Sequence, residues 1–467
     1  MASETRYTER MSESDAIMWK IESDPALRST IVGIWVMQGA PNRDRFTRKL
    51  ERCVREIPRL RQRPVTDPLG LAPPAWEDDP NFDLSFHVRR VAAPGDGSVR
   101  ALLDLAQPIG MQAFDRDRPL WELDIVEGLE GGRTGVIMKL HHSVSDGVGL
   151  VRMTEGLIER SAEPDPAERS PLPELPMAIA PTEWERTRSA ASHRARNRWS
   201  QATRAARALN GGLRALAKNP GQAIRQVTES ASSVGRLLKP VSEPLSPVMR
   251  ERSLSVRYEM LSVPFKELKR AAKAAGGTLN DAFVAGVTGG LRRYHEHLGA
   301  PVEELRMNMP INMRSGDKAL DSGNQFAPVR FAVPISIENP AERMQHIHGL
   351  VAEQRAEPAL PLIDPISAAI GSLPGSGAAR LSGSMMKAID FTTSNVPGPR
   401  FPVYVSGAKV EQMFGFGPLA GAAANVTCFS YDGAVDIGIN CDPAAVEDPA
   451  LLTECLVKGV DEVLSVS

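Results

Sequence analysis

The 467-residue sequence predicts a mixed α/β (α+β) protein built from two domains of similar size. Three observations carry that prediction. Strand-like and helix-like patterns alternate in both halves of the chain. A stretch rich in proline and acid, Glu163 to Pro181, followed by a basic one, separates the halves. The length is also more than a single core ordinarily serves. The expected divisions are residues 1–165 for the first domain, 166–250 for a Pro-rich linker and basic helical crossover, and 251–467 for the second domain.

In the first half, Asp15 to Ile21 opens the pattern and Thr30 to Met37 is an apolar strand candidate. Phe46, Leu50 and Val54 recur at helical spacing between Pro41 and Ile57. Arg59 to Pro80, dense in Pro and Asp, is expected to be a turn-laden connection. Phe82 to Arg89 alternates like a strand, and Ser98 to Gln107 is a helix that Pro108 is expected to stop. Thr134 to Leu140 is an apolar run ahead of two histidines. In the second half, Arg257–Val263, Leu305–Asn312, Ala327–Pro334 and Gly433–Ile439 are strands, and Thr278 caps a helix from Leu279 to Leu298.

Between the halves, Arg186 to Lys239 carries twelve Lys or Arg residues against the single acid Glu229, with Ala, Leu, Ile, Val and Trp199 interleaved. Basic amphipathic helices are expected there, broken at Gly211-Gly212 and at Asn219-Pro220-Gly221. Two readings stand side by side: a solvated crossover helix, and a helix lying on a membrane or lipid-droplet surface.

The net charge of −2 supplies no general field for nucleic acid, and no nucleic-acid motif accompanies the basic cluster. Cys53, Cys428, Cys441 and Cys455 lack CxxC spacing and are expected as buried thiols. The first residues lack the apolar core of a signal peptide, and no apolar run approaches the roughly 20 residues a bilayer span needs. The expectation is a cytoplasmic protein with possible peripheral contact to membranes or droplets. No GxGxxG, Walker or GxSxG element supports dinucleotide, phosphotransfer or elbow-hydrolase chemistry.

The most informative segment is His141-His142-Ser143-Val144-Ser145-Asp146-Gly147, an HHxxxDG pattern at the end of an apolar run. Imidazole is the side chain whose ordinary pKa lies near neutrality, and a strand end is a rigid mounting for a general base. Around it stand Arg118-Pro-Leu-Trp-Glu122, Leu279-Asn-Asp-Ala-Phe283, Met309-Pro-Ile-Asn-Met-Arg314, Gly323-Asn-Gln-Phe326, Ser394-Asn-Val-Pro-Gly-Pro399 and Ser430-Tyr-Asp-Gly433. In this order, over nearly the whole chain, these resemble the bacterial wax ester synthase/acyl-CoA:diacylglycerol acyltransferase family. HHxxxDG alone is shared with peptide-synthetase condensation domains.

The resemblance implies two chloramphenicol-acetyltransferase-like domains with the active site in a tunnel between them. It implies acyl-CoA as donor substrate, a lipid alcohol as acceptor and no further cofactor. It also assigns the second histidine, His142, as general base. Adjacent side chains on a strand point to opposite faces, so His141 is expected to turn into the domain as support. A metal is not expected, because adjacent ligands diverge on a strand.

Asp146, at the start of a helix from about Val148, and Gly147 are expected to hold the loop structurally, with Arg314 as a candidate partner for Asp146. Asn280 is expected to shape the site across the domain interface, and Asp281 to cap its helix. Asn312 and Arg314 are candidates to line the tunnel or bind the CoA phosphates. Ser394 and Asn395 are candidates to place a polar group near the thioester. Any of these asparagines or hydroxyls is open as oxyanion donor. Trp121 is expected as core, and His295, His297, His346 and His348 as surface residues. The Gly-rich run Gly415 to Gly421 departs from the family pattern and bears on the acceptor pocket.

The acceptor is either diacylglycerol or a long-chain alcohol. Two other readings stay open: an acyltransferase with another donor or acceptor, such as a carrier-protein thioester or a glycolipid, and a lipid-droplet-binding protein without turnover.

Overall fold

The computed structural model describes residues 7–145, 154–178, 180–218, 243–312, 326–357 and 375–467, together with 367, 370 and 371. Two six-stranded sheets organise it, one in each half.

The first sheet is built on β1 (Thr30–Gln38), which pairs antiparallel over nine residues with β6 (Arg133–His141). β5 (Trp121–Leu129) pairs with β6, and β4 (Val88–Ala92) runs parallel to β5 at the edge. Val32, Ile34 and Val36 of β1 alternate onto the face covered by Leu102, Leu103 and Ala106 of helix α4 (Val99–Met111). Trp35 and Met37 face helix α2 (Arg43–Glu56), whose Phe46, Leu50, Cys53 and Val54 form one stripe under an Asn42 cap.

Four local expectations are corrected. Arg59 to Pro80 is not only turns: β2 (Gln62–Val65) and β3 (Ala75–Asp78) pair as a hairpin, with the Asp67 carboxylate accepting Leu69, Leu71 and Ala72 N–H in the bend. Asp83 caps a single helical turn, α3 (Leu84–His87), so the strand begins only at Val88. Helix α4 runs through Pro108 to Met111, because its last turn packs into the core: a Cβ on Gly110 would lie 2.2 Å from the Tyr258 hydroxyl. Helix α5 (Glu183–Lys218) continues through Gly211-Gly212, since two glycines at about 1 kcal/mol each are outweighed by an Ala- and Arg-rich helix.

The second sheet has the order β7-β14-β13-β10-β8-β9. Its strands are β7 (Arg257–Pro264), β8 (Glu304–Asn312), β9 (Phe326–Pro334), β10 (Phe391–Pro397), β13 (Ala424–Tyr431) and β14 (Ala434–Cys441). Over it pack α6 (Phe265–Ala274), α7 (Leu279–His297), α8 (Pro340–Arg355) and α10 (Pro449–Leu464). Thr278 and Asp281 close a reciprocal capping box on α7, as expected. α7 is buried on most sides, and this overturns the surface reading of His295. That ring is fully buried, with Nδ1 2.8 Å from the Leu291 carbonyl and Nε2 2.8 Å from Ser246 Oγ. His297 and His346 are exposed, and His348 reaches Asp281 at 2.8 Å. All four cysteines are free and buried.

The second half also completes the first sheet. β12 (Ala408–Phe416) inserts beside β1, and the short β11 (Tyr404–Val405) pairs outside it. Tyr431 pins this hairpin, its hydroxyl donating to the Val410 carbonyl at 2.8 Å and accepting the Val403 N–H at 3.0 Å. Buried Asp436 of β14 accepts the Met413 N–H of β12 at 2.8 Å and the Ser262 hydroxyl of β7 at 2.6 Å. Burial pushes its pKa up to about 6, against the opposing hydrogen bonds.

Candidate active site

His141 is the last residue of β6, paired to Thr30 of β1, and its ring is fully buried. The Ser143 backbone N–H donates to its Nδ1 at 3.1 Å, and Ser143 Oγ lies 2.7 Å from the same atom. Nδ1 is therefore an acceptor, so the ring proton sits on Nε2, which donates to Glu22 Oε1 at 2.9 Å. The same carboxylate oxygen accepts the Ser29 N–H at 2.6 Å, and the Ser29 carbonyl accepts the His142 N–H at 2.8 Å. Burial raises the Glu22 pKa, but the His141 and Ser29 hydrogen bonds, with Arg116 nearby, outweigh it and hold the group below the ordinary carboxylate range. One carboxylate thus fixes both the supporting ring and the backbone that carries the next residue. Glu22 and Ser29 were invisible to motif reading. Glu22 sits just beyond helix α1 (Glu13–Ile21), and nothing local marks it.

His142 is the first residue past β6 and lines a cavity of about 430 Å³ between the two sheets. Both halves contribute walls: Ile31, Trp35 and Met138 from the first, Asn308, Ser394 and Phe414 from the second. Among the described residues, the lining holds no Lys, Arg, Asp or Glu, and His142 is the one imidazole there. The space suits an uncharged, mostly apolar ligand placed beside an imidazole.

The second sheet opens to make this room. β10 pairs with β13 over seven residues, but with β8 only at Phe391–Met307 and Thr392–Asn308. Beyond that point Pro310 of β8 has no N–H to offer, and Pro328 stands opposite it on β9. The strands part, and Pro310, Ser394 and Asn395 border the gap. The Gly-rich run also contributes, through Gly415, Gly417, Leu419 and Ala420.

Of the residues expected at the site, His142, Ser394 and Asn395 line the cavity. Asn280 stands behind, its Oδ1 accepting from Asn395 Nδ2 at 3.5 Å and its Nδ2 3.8 Å from Met309 Sδ. Asn312 ends β8 opposite Phe326. Asp146, Gly147 and Arg314, and hence the Asp146–Arg314 pairing, lie outside the described residues. Trp121 is core, donating its indole N–H to the Leu60 carbonyl at 2.7 Å.

The profile of the wax ester synthase/diacylglycerol acyltransferase catalytic domain matches residues 11–283 of this chain. The chain belongs to that family. The C-terminal domain profile of the family matches residues 322–463. A Mycobacterium tuberculosis protein named as a diacylglycerol O-acyltransferase is 36% identical over 99% of this chain and 93% of its own length. A second one from that species, also named as a diacylglycerol O-acyltransferase, is 26% identical over 97% of this chain and 95% of its own.

Among solved structures, the wax ester synthase/diacylglycerol acyltransferase of Marinobacter aquaeolei VT8 superposes with a TM-score of 0.63 at 22% identity, covering 97% of this chain and 98% of that one. The first condensation domain of the calcium-dependent antibiotic synthetase gives 0.63 at 16% identity, covering 99% and 96%. The architecture is thus the two-domain, chloramphenicol-acetyltransferase-like one, and the family places the chain among the acyltransferases.

Proposed function

We propose that this family member transfers a long-chain acyl group from acyl-CoA to diacylglycerol, giving triacylglycerol, or to a long-chain alcohol, giving a wax ester. The observation that carries the reading is His142 on the wall of an apolar cavity without charged lining among the described residues. In this mechanism the His142 imidazole takes the proton of the acceptor hydroxyl as its oxygen attacks the thioester carbonyl. The tetrahedral intermediate then collapses, the C–S bond breaks, and the imidazolium returns the proton to the departing CoA thiolate. General-base action of this kind is worth roughly 10²–10⁴-fold. Acyl-CoA enters as substrate, and no resident cofactor is needed because the thioester is already reactive. Asp146 and Gly147 act structurally in this scheme, and Ser394 and Asn395 are the polar groups facing the reacting atoms.

The test is CoA release by purified protein with hexadecanoyl-CoA and either dioleoylglycerol or hexadecanol. Turnover with one of these acceptors, lost by at least 100-fold in His142→Ala, is expected. Full activity in that variant overturns the base assignment. Turnover only with a carrier-protein thioester favours the alternative donor.

The acceptor and product of such a reaction partition into lipid, and one surface suits that setting. Trp184 and Trp199 of α5 are 73% and 75% exposed and stand fifteen residues apart, about four helical turns. Exposed Arg188, Arg194, Arg196 and Arg198 lie among them, while Ala190 is buried against the body of the protein. Indole and guanidinium side by side fit an anionic lipid interface, and none of the described helices is long and apolar enough to cross a membrane. In this proposal the protein works in the cytoplasm, peripheral to such surfaces. Co-sedimentation with phosphatidylglycerol vesicles, weakened by replacing both tryptophans with Ala, is the expected result. Equal recovery of the double variant refutes this face.

A further inference from the structure

Gly33 sits in the middle of β1, where a glycine weakens a strand by roughly 0.5–1 kcal/mol. The usual reasons for glycine are missing. Its φ is not positive, and it is not at the register shift of β1, which falls between Val36 and Met37. A Cβ there would meet only the Met138 side chain, with the mobile Cε nearest at 3.1 Å, and no backbone atom within 4 Å. Its cross-strand neighbour Gly415 is alike in this: a Cβ there would meet only the Thr427 side chain, with Cγ2 at 3.3 Å. The place of Gly33 is on the cavity. One row across the first sheet runs Met138, Gly33, Gly415, and all three line the space. The neighbouring row is filled by Trp35 and Met413. The two glycines therefore make a notch in a face otherwise covered by large apolar side chains. Strand glycines without backbone cause mark sites where a ligand approaches closely.

We propose that Gly33 is a specificity-determining residue: the notch it forms seats the distal part of an unbranched alkyl chain of a substrate. This rests on the acyl-transfer reading above. The His142 N–H is bonded to Ser29, and Gly33 lies three residues along β1 from Thr30, about 10 Å at the usual strand rise. A chain that starts at the base and follows β1 crosses the notch only if it is long. Short chains end before it.

The experiment compares wild type, Gly33→Ala and Gly33→Val in full-length protein. Valine favours strand structure, and turnover of short chains reports folding within the same assay. One series varies acyl-CoA from butanoyl to octadecanoyl with a fixed acceptor. The other varies the alcohol from butanol to octadecanol with a fixed donor. Calorimetric binding of the same alcohols supplies a readout independent of turnover.

Gly33→Val is expected to leave the shortest chains within about two-fold and to lower kcat/KM or affinity for the longest by ten-fold or more, with Gly33→Ala between. The series that shows the break identifies whose chain lies in the notch. A loss that is uniform across lengths, or no loss, in both series and in binding overturns the proposal. Absence of turnover in wild type would instead refute the acyl-transfer reading, and the binding series still decides the role of Gly33.

Discussion

The two sheets have six strands each and meet at one cavity, yet they are built for opposite tasks there. In the first, β1 and β6 stay zipped over nine residues to the point where His142 leaves the ladder, and Glu22 ties the end down through His141 and Ser29. In the second, β10 abandons β8 after two residues, and Asn395 keeps only a 3.5 Å contact to Asn280. One sheet fixes a chemical group and the other yields space. Asn395, at the parting of the strands, is correspondingly held more lightly than Asn425 and Thr427 deeper in the sheet, which bond to the Pro418 carbonyl and to each other.

That contrast can be broken most severely at Glu22. Glu22→Ala leaves the His141 Nε2–H and the Ser29 N–H without their acceptor, at about 1–3 kcal/mol for each buried donor. A fall in melting temperature of several degrees is expected. The subtler Glu22→Gln should lower kcat roughly 10- to 100-fold with KM within two-fold, because it disturbs the tether of His142, the proposed base, and no part of the cavity lining. An unchanged kcat would remove Glu22 from the positioning role. The Glu22 pKa is depressed in the fold, so its contribution is present above the unfolded value and lost as pH falls through the folded one. The stability gap between wild type and Glu22→Gln should accordingly narrow under acid.

Next comes the join between the sheets. Asp436 has its pKa raised to about 6, so the protonated form is the one the fold prefers. Its stabilisation is present below the unfolded value near 4 and lost as pH rises through 6. Asp436→Asn keeps an acceptor for the Met413 N–H, and is expected to be more stable than wild type at pH 8 by about 3 kcal/mol and equal to it at pH 4. Thermal melts at the two pH values decide it. A variant less stable at pH 8 would mean that the charged carboxylate holds β12.

The smallest effect is expected at Asn395. Asn395→Ala should change stability by less than about 0.5 kcal/mol and turnover by less than ten-fold, mostly in KM. A loss of 100-fold in kcat would transfer oxyanion stabilisation to Asn395 and make the second sheet a chemical partner after all.

The same division governs what the sequence reveals. The histidine pair is legible because its chemistry is contiguous, and the capping box at Thr278 because caps are local. Glu22 is 119 residues from His141, and no local rule points from one to the other. β12 has the pattern of a strand, but a strand does not announce which sheet it joins. His295 reads as a surface residue because a helix packed on several sides keeps few of the cues that separate buried from exposed faces. Pro108 and Gly211-Gly212 do not break their helices, because tertiary packing and neighbouring propensity prevail over single residues. Gly33 is silent in the sequence, where a strand glycine signals only weakness.

The insertion of β12 next to β1 has a consequence for how the molecule is made. During synthesis β1 emerges early, but the strand that covers its outer edge ends at Phe416. At 5–20 residues per second the ribosome needs roughly 20–75 s to bridge that interval. Throughout it, the first half presents an uncovered apolar edge strand, Thr30–Gln38, of the kind that recruits foreign strands. The cavity between the sheets therefore closes only once the chain has been made as far as Phe416.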